Sequence, residues 1–126
     1  MFWFSIGVAL LAAIGIIAIG ILYLVNPRAA TPGFGLPLPE TGANIAWWLR
    51  LKGVRDVASG LVVLAFLVWG GPRMAGIALL IEAIIPLGDM SLILAAKGST
   101  RHALGIHGIT AALMILAAIP LTIRGA

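Results

Sequence analysis

The stretch WFSIGVALLAAIGIIAIGILYLV, residues 3–25, decides the fold class. It is as long as the roughly 20 apolar residues that a bilayer core requires. Its only ionisable side chain is Tyr23. It lacks the basic start and the small-residue cleavage site of a secretion signal, so it reads as a retained membrane span. Asn26-Pro27 ends it, because the residue before a proline is pushed out of the helical region. The whole chain shares this character: of its 126 residues, 62% are hydrophobic and 10% charged. A soluble domain carries about a quarter charged residues. Water would be a poor solvent for so much apolar surface, whereas a lipid bilayer suits it.

Three further spans follow. WLRLKGVRDVASGLVVLAFLVW, residues 48–69, is the unusual one. Its purely apolar part, Val57 to Trp69, covers roughly 20 Å, too little for a core of about 30 Å. The span must therefore begin near Trp48 and carry Arg50, Lys52, Arg55 and Asp56 into the membrane. Gly70-Gly71-Pro72 predicts a tight turn, and a third helix over residues 74–96 holds Glu82, Pro86 and Asp89. Lys97 to Thr100 is a short connection, and a fourth helix over residues 101–123 holds His102 and His107 early and Pro120 near its far end. Residues 27–42 contain Pro27, Pro32, Pro37 and Pro39 with three glycines. They read as an irregular loop able to fold back over the bundle as a cap. The expected architecture is all-α: one integral membrane domain, residues 1–126, built as a four-transmembrane-helix bundle. Gly7, Gly15 and Gly20 could allow close helix contact along the first span.

The net charge of +4 comes from only eight Lys and Arg. They form no basic stripe interleaved with stacking aromatics, so no nucleic-acid partner is expected. Flanking charges of membrane spans account for them. Arg28, Arg50, Lys52, Arg55, Lys97 and Arg101 sit on one side, and Arg73 and Arg124 on the other. The positive-inside rule then places the first and third loops in the cytoplasm of a multi-pass cell-membrane protein. Trp3 and Trp69 belong to one interface, and Tyr23, Trp47 and Trp48 to the other. With no cysteine, thiolate chemistry and disulfides are excluded. No dinucleotide, Walker or haem-attachment motif occurs, and His102 and His107 lie on different helix faces, so neither cofactor nor metal is expected.

Counting about 1.5 Å per residue, Arg55 and Asp56 lie roughly 10–12 Å inside the second helix. Asp89 and His107 fall at roughly the same level of the third and fourth helices. Glu82 lies about 10 Å deeper than Asp89, on the same face. Ionised groups in a bilayer cost at least a few kcal/mol each unless paired or wetted, so groups on three helices are expected to converge inside the bundle. Asp89, His107, Asp56 and Arg55 then form a candidate acid/base set. Arg55 would hold a carboxylate, and His107 would trade protons with one. Glu82, with no cation at its depth, is expected neutral; Glu82, Lys52 and His102 are candidate ligand-binding or proton-coupled residues. Blander readings stand beside these. Lys52 and Asp56, spaced i,i+4, can pair within their own helix. Arg50 and Lys52 can snorkel to headgroups. His102 can be interfacial, and His107 and Glu82 can be structural hydrogen-bonders.

The pattern Asn26-Pro27, Phe34-Gly35, Lys52 to Asp56 (KGVRD), Gly88-Asp89 and His102 to His107 resembles the family called domain of unknown function 4267. That family sits loosely with the DoxX-like four-helix membrane proteins. The resemblance covers nearly the whole chain and implies a four-helix membrane fold; it brings little established activity with it, and supports a functional role for the polar residues without saying which. Three functions are compatible with the residues. The leading one is a membrane enzyme acting on a small lipophilic molecule by acid/base chemistry, such as isomerisation, cyclisation or epoxide opening. The second is a proton-coupled small-molecule transporter working as a homodimer through Glu82, with a homo-oligomer as a candidate partner state. The third is a non-catalytic accessory subunit.

Overall fold

The structure, a computed structural model, describes residues 1–37 and 42–124. Among the described residues there is no strand. Three helical stretches are long and apolar enough to cross a membrane: Phe2–Val25, Asn44–Ala95 and Thr100–Ile123.

α1 (Phe2–Val25) is built of Leu, Ile, Ala and Val and stops at Asn26. The Asn26 side chain accepts from the Ala29 backbone N–H at 3.3 Å, capping a short α2 (Pro27–Ala30) whose first residue is a proline. A 3-10 turn, Thr31–Gly33, follows. Residues 27–33 of the expected irregular loop are therefore helical turns. Proline suits the first turn of a helix because its missing N–H has no helical partner there anyway. Pro39, expected in that loop, lies outside the described residues.

The middle stretch is 52 residues long. As a straight rod it would measure about 78 Å. It doubles back instead. α3 (Ala43–Ala65) runs into a π-helical turn (Phe66–Gly70), and Gly71 then takes φ 73° and ψ 174°, a conformation open to glycine alone. α4 (Gly71–Glu82) returns along the bundle. The Ser59 hydroxyl on α3 hydrogen-bonds the Glu82 carboxyl on α4, although 23 residues separate them in sequence. In one straight helix these groups would stand about 35 Å apart.

α4 and α5 (Ile84–Ala95) meet at Ala83. The cause is Pro86, which has no N–H to offer the Glu82 carbonyl; the helical ladder resumes with Leu87 N–H on the Ala83 carbonyl at 3.2 Å. Beyond the turn at Lys97 to Ser99 come α6 (Thr100–His102), a π-helical turn (Ala103–Gly108) and α7 (Ile109–Arg124). α7 continues through Pro120 rather than breaking there.

α1 packs chiefly on α3, α4 on α7, and α1 also on α7. The α1–α3 seam is closed by residues with little or no side chain. A Cβ on Gly20 would lie 2.7 Å from the Gly53 carbonyl oxygen, and one on Gly53 equally close to that of Gly20. One on Gly60 would meet the Ala13 carbonyl oxygen at 2.5 Å. Ala13 and Gly20 stand two turns apart on α1, and Gly53 and Gly60 two turns apart on α3, so the helices close antiparallel along one small-residue line. Of the glycines expected to serve contact on α1, Gly20 does; Gly7 and Gly15 face open space.

The interior joins Ala9, Ala13, Val63, Leu79, Ala83, Met114, Ala117, Ala118 and Leu121. Large apolar side chains point outward from every long helix: Leu11, Ile14, Leu61, Ile81, Leu92, Leu116 and Ile123 are all more than half exposed. An exposed apolar belt of this extent matches lipid rather than water.

Candidate functional site

α1, α2, the 3-10 turn, α3, α4, α5, the second π-helical turn and α7 enclose a cavity of about 350 Å³. Its wall is largely apolar, with Ala and Ile the commonest residues. Polar side chains reach it at two levels. Tyr23, Lys52, Asp89 and His107 stand at the end nearer the proline-rich segment, and Ser59 and Glu82 stand further in. Ser59 follows Lys52, and Glu82 precedes Asp89, by two helical turns, about 10 Å.

Phe34 organises the outer level. Its ring meets the His107 ring edge-on, with centroids 4.9 Å apart, and lies 5.2 Å from Lys52 Nζ. Its carbonyl oxygen is 2.9 Å from His107 Nε2. A carbonyl only accepts, so Nε2 carries the hydrogen of that bond. That leaves Nδ1 facing Asp89, 3.6 Å from Oδ2. A bare nitrogen lone pair and a carboxylate would repel each other across this gap. One proton held between them, on either partner, relieves that repulsion. The spacing is too long for a hydrogen bond in this state. It is close enough to tighten around a bound molecule.

The Phe34 backbone is itself held. Gly35 adopts φ 102°, and a Cβ there would fall 2.7 Å from the His102 Cβ. The Gly35 carbonyl accepts from Ser99 N–H at 2.9 Å. Ala29, Ala30, Gly33 and Phe34, in the segment after α1, line the cavity.

Lys52 Nζ lies 2.6 Å from Asp56 Oδ2, within one helix. It also sits 4.7 Å from the Tyr23 ring centroid. Asp56 is 5% exposed, so its charge is compensated inside the protein rather than by solvent. Of the blander readings, the i,i+4 pair is the arrangement found. Arg50 Nε donates to the Leu24 carbonyl at 3.0 Å, and its guanidinium stacks on Trp47.

Two expected site residues stand apart. Arg55 is exposed and does not line the cavity, because adjacent helical positions point about 100° apart and Asp56 takes the inward one. The cation at the cavity is Lys52. His102 also lies off the cavity; its Nδ1 is 2.7 Å from the Ser99 hydroxyl, and that hydroxyl accepts its backbone N–H at 3.3 Å to cap α6. Asp89, His107, Lys52 and Glu82 line the cavity, and Asp56 reaches it through Lys52.

Tyr23, Phe34 and Ser59 were not among the expected site residues. Tyr23 reads from sequence as an interfacial aromatic, yet it is 3% exposed. Ser59 could have been found as the position two turns from Lys52 on the same face.

Fold and site together define a small all-helical protein suited to a bilayer, with an apolar cavity that carries ionisable groups. Residues 13–121 match the family model described as Domain of unknown function (DUF4267), and the chain belongs to that family. The match takes in every residue lining the cavity except Ala12. No curated protein and no solved structure matches the chain.

Proposed function

We propose that the chain is a membrane enzyme that binds a small lipophilic molecule in this cavity and moves protons on it through Asp89 and His107. The observation that carries this reading is the Asp89–His107 pair. Its imidazole is oriented by a backbone carbonyl, its two members stand 3.6 Å apart, and both line a largely apolar pocket. Such a pair can deliver a proton to one atom and withdraw one from another, as isomerisation, cyclisation or epoxide opening requires. Lys52, anchored by Asp56, supplies positive potential at the same end, the role the sequence had suggested for Arg55.

We further propose that the 52-residue stretch crosses the bilayer twice, which makes four spans. Supporting this are the reversal at Gly71 and the Ser59–Glu82 hydrogen bond. The excess of Lys and Arg at the first and third loops supports a cytoplasmic location for that end.

The test begins with native mass spectrometry of the detergent-purified protein, to identify a retained lipophilic molecule. Turnover of that molecule is then compared in wild type, Asp89→Asn and His107→Ala. A loss of about 100-fold or more is expected for each variant that folds. Full turnover in both would end this reading. Glu82, held by Ser59 within the same cavity, supports a transporter as the second reading. That reading predicts proton-driven flux in liposomes that Glu82→Gln abolishes.

A further inference from the structure

Every charged donor at the outer level of the cavity already has a partner within the protein. Lys52 Nζ is 2.6 Å from Asp56 and is flanked by the rings of Tyr23 and Phe34. His107 gives one nitrogen to the Phe34 carbonyl and turns the other to Asp89, 3.6 Å away. Arg50 is bound to the Leu24 carbonyl, and Arg55 faces outward. A ligand carboxylate or phosphate entering here would find no uncommitted cation among the described residues. It would also stand against Asp56 and Asp89. Anionic ligands are therefore disfavoured, a ligand ammonium would stand against Lys52 at the same end, and the largely apolar wall is suited to an uncharged ligand.

One polar group at this level is left over. Tyr23 lines the cavity and is 3% exposed, and its hydroxyl makes no hydrogen bond among the described residues. A phenolic hydroxyl at the cavity with no bond to the protein is free to donate to a bound acceptor. A phenol is a neutral donor, matched to a neutral oxygen.

From this we infer that the cavity takes an uncharged lipophile bearing a carbonyl or ether-type oxygen, and that the Tyr23 hydroxyl donates the hydrogen bond that holds this oxygen. The inference rests on the proposed reading only in taking this cavity as the ligand site. It adds the ligand's charge class and a positioning residue. A hydrogen bond from Tyr23 would polarise a carbonyl beside the Asp89–His107 pair, drawing electron density toward the oxygen as a neighbouring C–H gives up its proton. The volume suits a molecule of about a dozen non-hydrogen atoms, if each occupies the roughly 30 Å³ that water takes in the liquid.

The test uses the full chain in lipid nanodiscs with four probes on one bicyclic skeleton: decalin, 2-decalone, decalin-2-carboxylate and 2-aminodecalin. The ketone is expected to bind about tenfold or more tightly than the acid and the ammonium. It should also outbind the hydrocarbon by about three- to tenfold, a margin that Tyr23→Phe removes. The infrared stretch of the bound carbonyl should shift to lower frequency in wild type and lose that shift in Tyr23→Phe, a change that a purely structural role would not produce. Tighter binding of the acid or the amine would overturn the inference. So would equal binding of ketone and hydrocarbon, or a shift that survives in Tyr23→Phe. If the ketone binds with its shift but gains no solvent deuterium beside its carbonyl, the inference stands and proton transfer by Asp89 and His107 fails.

Discussion

At the residue scale, the site depends on backbone groups that sequence does not display. Depth counting placed Asp89 and His107 at one level, and the structure brings them to 3.6 Å. It could not show that the Phe34 carbonyl would set which His107 nitrogen carries the proton. It also could not tell Arg55 from Lys52 as the inward cation, because both lie within one turn and only packing against α1 decides which face turns inward. Two predictions belong here. In ¹⁵N spectra of the imidazole, His107 should be protonated at Nε2 in every state, and Asp89→Asn should leave the neutral Nε2–H tautomer; a neutral Nδ1–H form would contradict the Phe34 bond. Lys52→Met leaves Asp56 buried without its partner and should destabilise the fold by about 3 kcal/mol, measured by denaturation in mild detergent. The double variant Lys52→Met/Asp56→Leu should recover much of that loss, since no charge is then left unpaired.

At the element scale, the existence of the helices was plain in the sequence, while their interruptions were only partly so. Gly70-Gly71-Pro72 announced a reversal, and Gly71 provides it. Pro86 does more than its position suggested: it leaves the Glu82 carbonyl without a helical donor and divides the third expected helix into α4 and α5. The π-helical turns carry no proline and had no sequence signal; one of them holds His107. The α1–α3 seam was half legible, because Gly20 was visible as a contact residue but its partner Gly53 lay inside a charged motif. Gly53→Leu should force the helices apart and lower stability by about 1–3 kcal/mol, whereas Gly15→Leu, in open space, should leave the melting temperature nearly unchanged. Equal effects at the two positions would contradict the packing described.

At the scale of the whole molecule, composition alone pointed to lipid, and the outward belt of Leu and Ile is the structural form of that composition. The cavity was not legible, since it depends on how far small residues let helices approach and on how the segment after α1 folds back. The absence of cysteine makes topology directly measurable, because an introduced thiol is unique. Cysteines replacing Arg28 and Thr100, both exposed, should react with an impermeant reagent from the cytoplasmic side, and one replacing the exposed Arg73 from the opposite side. Labelling of all three from one side would remove the four-span proposal. The central claim, that Asp89 and His107 move protons on a lipophilic molecule held in the cavity, is tested most directly in heavy water. The wild-type protein, incubated with its retained ligand, should place solvent deuterium on carbon, seen as a one-unit mass increase that Asp89→Asn and His107→Ala abolish. Equal incorporation in all three proteins, or none in a wild type that holds its ligand, would contradict it.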